Sequence, residues 1–363
     1  MKKHWPPYNF SAGPAMLPKQ VMEQAQSEFT DWRGKGLSVL DFSHRGTDFT
    51  EIAEKAEADL RQLLNIPKNY RVLFAAGGAS FQFAMVPMNC LRNRAVYVDT
   101  GIWGSKAIKE AKQFGQVDVV NALSERDGLQ AILPESEWGI EQGFDYLHFT
   151  PNETIGGVEF SDAPVVGRGQ LIADMSSNIL SRKINVEDYA VIYAGAQKNI
   201  GPAGLTILIV RDDIIQQPAA QSAPSLMRYS TLAESGSMYN TPPTYSWYLA
   251  GLVFDWLIKQ GGVDVMEQRA NERSQKLYQF IDKRSFYANP IHPNARSRMN
   301  IPFTLADESL NARFLEQAEM AGLHYLKGHR SVGGMRASLY NAMPVAGVDA
   351  LIEFMAEFER TQG

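Results

Sequence analysis

A single lysine, Lys198, lies in a polar, glycine-punctuated turn between two apolar runs, Val191-Ile192-Tyr193 and Leu205 to Val210. Both runs are short, rich in β-branched and aromatic residues and bounded by glycine, so they read as buried strands. Burying an ammonium in low dielectric is costly and lowers its pKa, which suits the amine to condense with a carbonyl. The alternative is a loop lysine pointing into water. Upstream, the apolar strand Leu171 to Ala173 ends on Asp174. A carboxylate and a lysine at neighbouring strand ends are the pair that pyridoxal phosphate (PLP) needs. The lysine holds the aldehyde, and the acid keeps the pyridine nitrogen protonated so that the ring can draw electrons.

Longer segments carry a resemblance. DMSSNILSR and YAGAQKNIGPAGLTILIVR, together with NFSAGPAMLP, FSHRG at 42–46, PNETI at 151–155, GSMYNTPPT at 236–244 and KGHRSVGGMRASLYNAMP at 327–344, resemble the phosphoserine aminotransferases. These form a class V branch of the fold-type-I PLP-dependent aminotransferases, and the resemblance spans essentially the whole chain. It implies an α/β fold with a mostly parallel seven-stranded sheet covered by helices, plus a smaller α+β C-terminal domain.

The resemblance also implies roles. Lys198 would carry PLP and shuttle a proton, and Asp174 would face the ring nitrogen. Trp103 would stack on the ring, its alternative being a core tryptophan, and Thr154 would bond the phenolic oxygen. Ala79, Ser80 and Gln197 would hold the cofactor phosphate, joined by Asn240 and Thr241 from a second subunit; the alternative for that pair is a plain turn. Arg336 would grip the substrate α-carboxylate, a bidentate task that suits arginine. His44, Arg45, His329 and Arg330 would receive the substrate phosphate or the glutamate side chain. Ser80 stands where some relatives carry an arginine.

The implied reaction passes the amino group of L-glutamate to 3-phosphohydroxypyruvate in ping-pong fashion, giving O-phospho-L-serine and 2-oxoglutarate for serine biosynthesis. The related phosphorylated intermediate of pyridoxine synthesis is a further candidate substrate. A homodimer with shared sites and a cytoplasmic location complete the expectation. The rival readings are another class V enzyme, such as an alanine–glyoxylate aminotransferase or a cysteine desulfurase, and an inactive PLP-binding protein. The paired histidine-arginine motifs count against the alanine–glyoxylate aminotransferase, the apolar setting of Cys90 against the desulfurase, and intact Lys198 and Asp174 against an inactive protein.

Composition narrows the classes. The chain has 363 residues, 45% of them hydrophobic, and a net charge of −5. That size predicts two domains. The charge argues against nucleic acid or anionic membrane as partner, so an anionic substrate requires locally clustered cations. The single cysteine excludes an internal disulfide and fits a reducing compartment. The N-terminal stretch shows no apolar signal core, and no run reaches transmembrane length. No metal site is expected, and Asn152-Glu153-Thr154 matches a glycosylation sequon by accident.

These residues need a scaffold. Pro18 to Trp32 reads as an amphipathic helix burying Val21, Ala25, Phe29 and Trp32. Another starts near Asp48, with Asp48 and Glu51 in capping-box spacing and Ile52, Ala56, Leu60 and Leu63 inward. Strands follow at 71–75, 95–98, 117–120, 146–149 and 171–173, alternating with helices in the way that implies a parallel sheet covered on both faces. Gly77-Gly78-Ala79-Ser80 forms a strand–turn–helix junction able to bind an anion. Ligands of such sheets bind beyond the carboxyl ends of the strands. The expected division is a large domain of residues 16–260 and a small one of 1–15 and 261–363, broken at Gly261-Gly262. In the small domain, helices are expected at 263–281, 309–321 and 345–360, and strands at 299–303 and 337–340.

Overall fold

Seven strands, apolar but for the edge strand Gln116–Asn121, form the central sheet: β1 (Tyr70–Ala76), β2 (Arg94–Asp99), β3 (Gln116–Asn121), β4 (Tyr146–Phe149), β5 (Leu171–Asp174), β6 (Val191–Gly195) and β7 (Leu205–Arg211). They are described in a computed structural model covering residues 3–165 and 170–363. Their order is β1-β7-β6-β5-β4-β2-β3. Neighbours from β3 across to β6 pair in parallel, whereas β7 runs antiparallel to both β6 and β1. The reason is chain length, because residues 196–204 are too few for the crossover that a parallel partner needs.

Alternate residues of each strand enter separate cores. Phe74, Leu147, Ala173, Ile192 and Ile207 face α2 (Thr47–Leu64) and α5 (Thr244–Lys259), where Leu60, Trp247 and Phe254 are buried. Leu73, Tyr97, Ile172, Tyr193 and Leu208 face α3 (Gln82–Cys90) and α4 (Ile102–Ala111). The fold is therefore α/β with a mostly parallel, helix-covered sheet.

A third core lies in the C-terminal part. There β8 (Tyr287–Ala288), β9 (Asn300–Leu305) and β10 (Met335–Ser338) form an antiparallel sheet. It packs with α7 (Asn311–Met320) and α8 (Val345–Gln362), and Phe10 joins it while Tyr8–Asn9 pairs with Leu323–His324. Helix α6 (Gly262–Asp282) serves two cores, burying Val263 and Met266 with the large sheet and Leu277 and Ile281 with the small one.

Three local expectations differ. Helix α1 covers only Lys19–Ser27; Trp32 is buried from a separate short turn, its N–H bonded to Leu37 O, and Phe29 is exposed. Helix α2 is capped by Gly46 without a side-chain bond, because Asp48 and Glu51 pair instead with Lys35 and Arg33; a capping box forms at Ser38 and Asp41. The strand expected at 337–340 spans Met335–Ser338. A hairpin of Leu123–Arg126 and Leu129–Ile132 was not expected at all.

Candidate active site

Beyond the carboxyl ends of β5 and β6, the turn after Gly195 carries Lys198 inward. The turn is held by Ala196, whose N–H bonds Leu205 O and whose carbonyl accepts from Gly201 N–H at 2.7 Å. Lys198 is only 9% exposed, and its Nζ donates to Thr154 Oγ1 at 2.6 Å while lying 5.7 Å from the Trp103 ring centroid. Burial pulls its pKa down to about 8, against the opposing fields of Asp174 and Glu153 and with the help of Arg336. The N-terminal segment closes over the turn, with Ala15 N–H bonded to Gln197 O at 2.9 Å.

Asp174, the last residue of β5, is buried. Its Oδ1 accepts from Ser176 Oγ at 2.5 Å and from Ser176 N–H at 3.0 Å. Burial raises its pKa, while the Ser176 bonds and the Lys198 charge oppose the rise. Thr154 sits in the segment after β4. Its neighbour Asn152 is fully buried, donating to Ser177 Oγ at 2.7 Å and Asn300 Oδ1 at 2.9 Å, so the sequon asparagine is a structural link.

The glycine junction supplies the third side. Ala79–Phe81 opens as a short helical turn before α3, which leaves the Ala79 and Ser80 N–H groups without carbonyl partners in the first turn. Close approach demands glycine at 195: a Cβ there would lie 2.8 Å from Gln197 Oε1 and 3.5 Å from Ala79 N. One cleft is lined by Ala79, Ser80, Trp103, Thr154, Asp174, Gln197 and Lys198, with Phe83, Thr150 and Ser176 beside them. The residues fit PLP: a buried amine of lowered proton affinity, a carboxylate whose burial calls for a cationic neighbour, an aromatic face and open backbone donors. Thr150 Oγ1 is buried in the same cleft without a partner.

The expected substrate cations are less gathered. Arg336, on β10, reaches across to donate Nη1 to Thr154 O at 3.4 Å, and its buried Nε has no partner. Burial lowers its pKa. His44, Arg45, His329 and Arg330 do not line the cleft, and His44 Nε2 is buried and unpaired. Asn240 and Thr241 are exposed and also stand outside it. Cys90 is buried, its thiol pushed up to about 12, which removes it as a nucleophile. Among the described residues no cluster could hold a metal ion, and no helix is long and apolar enough to cross a membrane.

Sequence reasoning missed Ser176, Asn152 and Glu153. The available signal was their place beside Asp174 and Thr154 in two short polar runs that each follow an apolar strand; the partners of Asn152 and Glu153 are remote in sequence.

The profile of the family described as aminotransferase class-V matches residues 7–351. A phosphoserine aminotransferase from Acinetobacter baumannii is 55% identical over 358 residues, 98% of this chain and 99% of the relative. Among solved structures, a phosphoserine aminotransferase from Bacillus circulans subsp. alkalophilus superposes with a TM-score of 0.94 at 42% identity, covering 98% of this chain and 99% of that one. A PLP-bound phosphoserine aminotransferase from Trichomonas vaginalis gives 0.92 at 39%, covering 96% and 99%.

Proposed function

The chain belongs to the class-V aminotransferase family, and we propose that it is a phosphoserine aminotransferase. It transfers the amino group of L-glutamate to 3-phosphohydroxypyruvate, giving O-phospho-L-serine and 2-oxoglutarate. One observation carries the reading: a single cleft at the strand ends brings Lys198, Asp174, Trp103 and Thr154 beside the open N–H groups of Ala79 and Ser80. The 55% identity to a phosphoserine aminotransferase supports the substrate assignment.

Bound there, PLP supplies an electrophilic carbonyl carbon and a protonated ring that accepts the electron pair of the substrate Cα–H bond. Lys198 would carry the cofactor and then, as a free amine, take the proton from the α-carbon and return it elsewhere. Its lowered pKa of about 8 leaves a usable fraction uncharged near neutrality. Asp174 would hold the proton on the ring nitrogen, and Ser176 orients its carboxylate. Trp103 would cover one ring face, and Thr154 would bond the phenolic oxygen. Ala79, Ser80 and Gln197 would bind the phosphate at a helix N-terminus, whose dipole favours an anion. Arg336 would pair with the substrate α-carboxylate.

Asn240 and Thr241 fit a second chain. Asn240 and Thr241 are exposed and outside their own cleft, which supports a homodimer in which they complete the partner's phosphate site. His44, Arg45, His329 and Arg330 would receive the phosphate or side-chain carboxylate of the substrate. The proposal includes a cytoplasmic enzyme of serine biosynthesis, a large domain of residues 16–260 and a small one of 1–15 and 261–363. The separate C-terminal core with Phe10 supports that division; residues 1 and 2 lie outside the described residues.

The test is reduction with borohydride followed by peptide mapping. PLP-loaded protein should retain covalent label on the Lys198 peptide and convert glutamate and 3-phosphohydroxypyruvate to phosphoserine. Label on another lysine, or turnover of glyoxylate in place of the phosphorylated keto acid, would reject the reading.

A further inference from the structure

Glu153 is a fully buried carboxylate that the reading above leaves without a task. Its Oε1 accepts from Gly104 N–H at 2.8 Å and its Oε2 from Trp103 N–H at 3.2 Å. Both donors belong to the first turn of α4, where backbone N–H groups lack intrahelical partners. The contact therefore joins two separate segments. Helix α4 carries Trp103, and the next residue after Glu153 is Thr154, which holds Lys198 Nζ at 2.6 Å. Gly101 makes the approach possible, since a Cβ there would come within 2.7 Å of Glu153 Cδ.

Ending the helix does not require this acid. Asp99 already serves that end, accepting from Gly101 N–H at 3.1 Å and from Ser105 Oγ at 2.7 Å. Burying a second carboxylate is costly: desolvation pushes Glu153 up to about 7, in spite of the two backbone bonds. The charges around it come from every side, with Asp99 before α4, Asp174 from β5 and Lys198 from the turn after β6. Arg336 reaches the same lysine from β10.

We propose that Glu153 is a positioning residue that ties Trp103 to Thr154 and places its carboxylate one residue from the Thr154 hydroxyl that holds the Lys198 amine. One side chain thus governs both the aromatic wall and the proton affinity of the lysine. The inference rests on the reading of the cleft as a PLP site. Its direction follows from the sign of the charge: a carboxylate raises the proton affinity of a nearby amine, and Glu153 acts on Lys198 in that sense. Removing that charge must lower the proton affinity of Lys198.

The experiment compares full-length wild type, Glu153→Gln and Asp99→Asn. The pH midpoint for labelling Lys198 with trinitrobenzenesulfonate is read on its peptide in PLP-free protein. The visible circular dichroism band of PLP-loaded protein is read in parallel. Glu153→Gln should lower the midpoint by about one pH unit, at the small end of what an adjacent opposite charge produces, and should weaken the band. Asp99→Asn should leave the labelling midpoint of Lys198 in place. An unmoved midpoint, an unchanged band, or an equal midpoint shift from Asp99→Asn would each overturn the proposal. If Glu153→Gln does not fold, Gly101→Ala takes its place, keeping the charge but displacing it; an unchanged band in that variant overturns the proposal. If wild type binds no PLP, the reading of the cleft fails, while the labelling midpoint still decides the part played by Glu153.

Discussion

Replacing Arg336 with leucine should cost both half-reactions the same amount. The guanidinium is half-buried on β10, with one weak bond from Nη1 to Thr154 O at 3.4 Å and a buried Nε without a partner. Burial lowers its pKa, so the free protein carries a poorly compensated cation against the Thr154 backbone. A substrate α-carboxylate would supply two charge-assisted bonds, each worth about 1.5–3 kcal/mol. Their sum, about 3–6 kcal/mol, corresponds to about 10²–10⁴-fold in kcat/KM. Stability should not fall, because the lost group was under-satisfied without substrate. Arg336→Lys should recover only part of the activity, since an ammonium cannot reproduce the planar fork. The contrast is Arg330→Leu in the exposed loop after α7. One charge-assisted bond there is worth about tenfold to a hundredfold, and the loss should fall on phosphoserine far more than on glutamate, because a phosphate carries nearly two charges. Single-turnover kinetics of each half-reaction in the three variants provides the measurement. Unequal losses in Arg336→Leu, or equal losses for phosphoserine and glutamate in Arg330→Leu, would refute the assignment of the two anionic groups to these arginines.

Asp174→Asn should leave the fold and much of the cofactor binding intact and slow transamination severely, because a neutral ring is a poorer electron acceptor; stopped-flow turnover near the wild-type rate would contradict it. Mixing inactive Lys198→Ala chains with chains inactivated at Asn240 and Thr241 should restore activity, since one site of each heterodimer collects only intact parts; no recovery in verified heterodimers would return those residues to their own subunit's site. Trp247→Ala should destabilise the protein by about 3–5 kcal/mol, because the indole stacks on Phe74 at 4.0 Å and meets Phe49 edge-on. Denaturant melts check it, and a loss below about 1 kcal/mol would show that the core closes over the gap.

Patterns that repeat over two to four residues were legible without a structure. The apolar strands on either side of Lys198, the acid closing Leu171–Asp174 and the glycine junction before Ala79 all lie in short segments whose periodicity and turn chemistry are local properties. Burial of Lys198 did not follow from them, since a glycine turn can as well aim its lysine at water; the fold brought the amine under Thr154 and Trp103. The end of α1 at Ser27 was not legible, because the apolar spacing continues to Trp32 while the bond that Trp32 N–H donates to Leu37 O holds that residue in the core by another route. Nor was the use of Asp48 and Glu51, whose partners lie in the preceding loop. Tertiary structure alone decided which remote groups meet. Arg336 reaches Thr154 across 182 positions, Asn152 meets Asn300 across 148, and Glu153 meets Trp103 and Gly104 from the end of a different strand. The free energy of such contacts depends on packing elements that are far apart in the chain. Spacing along the chain carries no record of that distance.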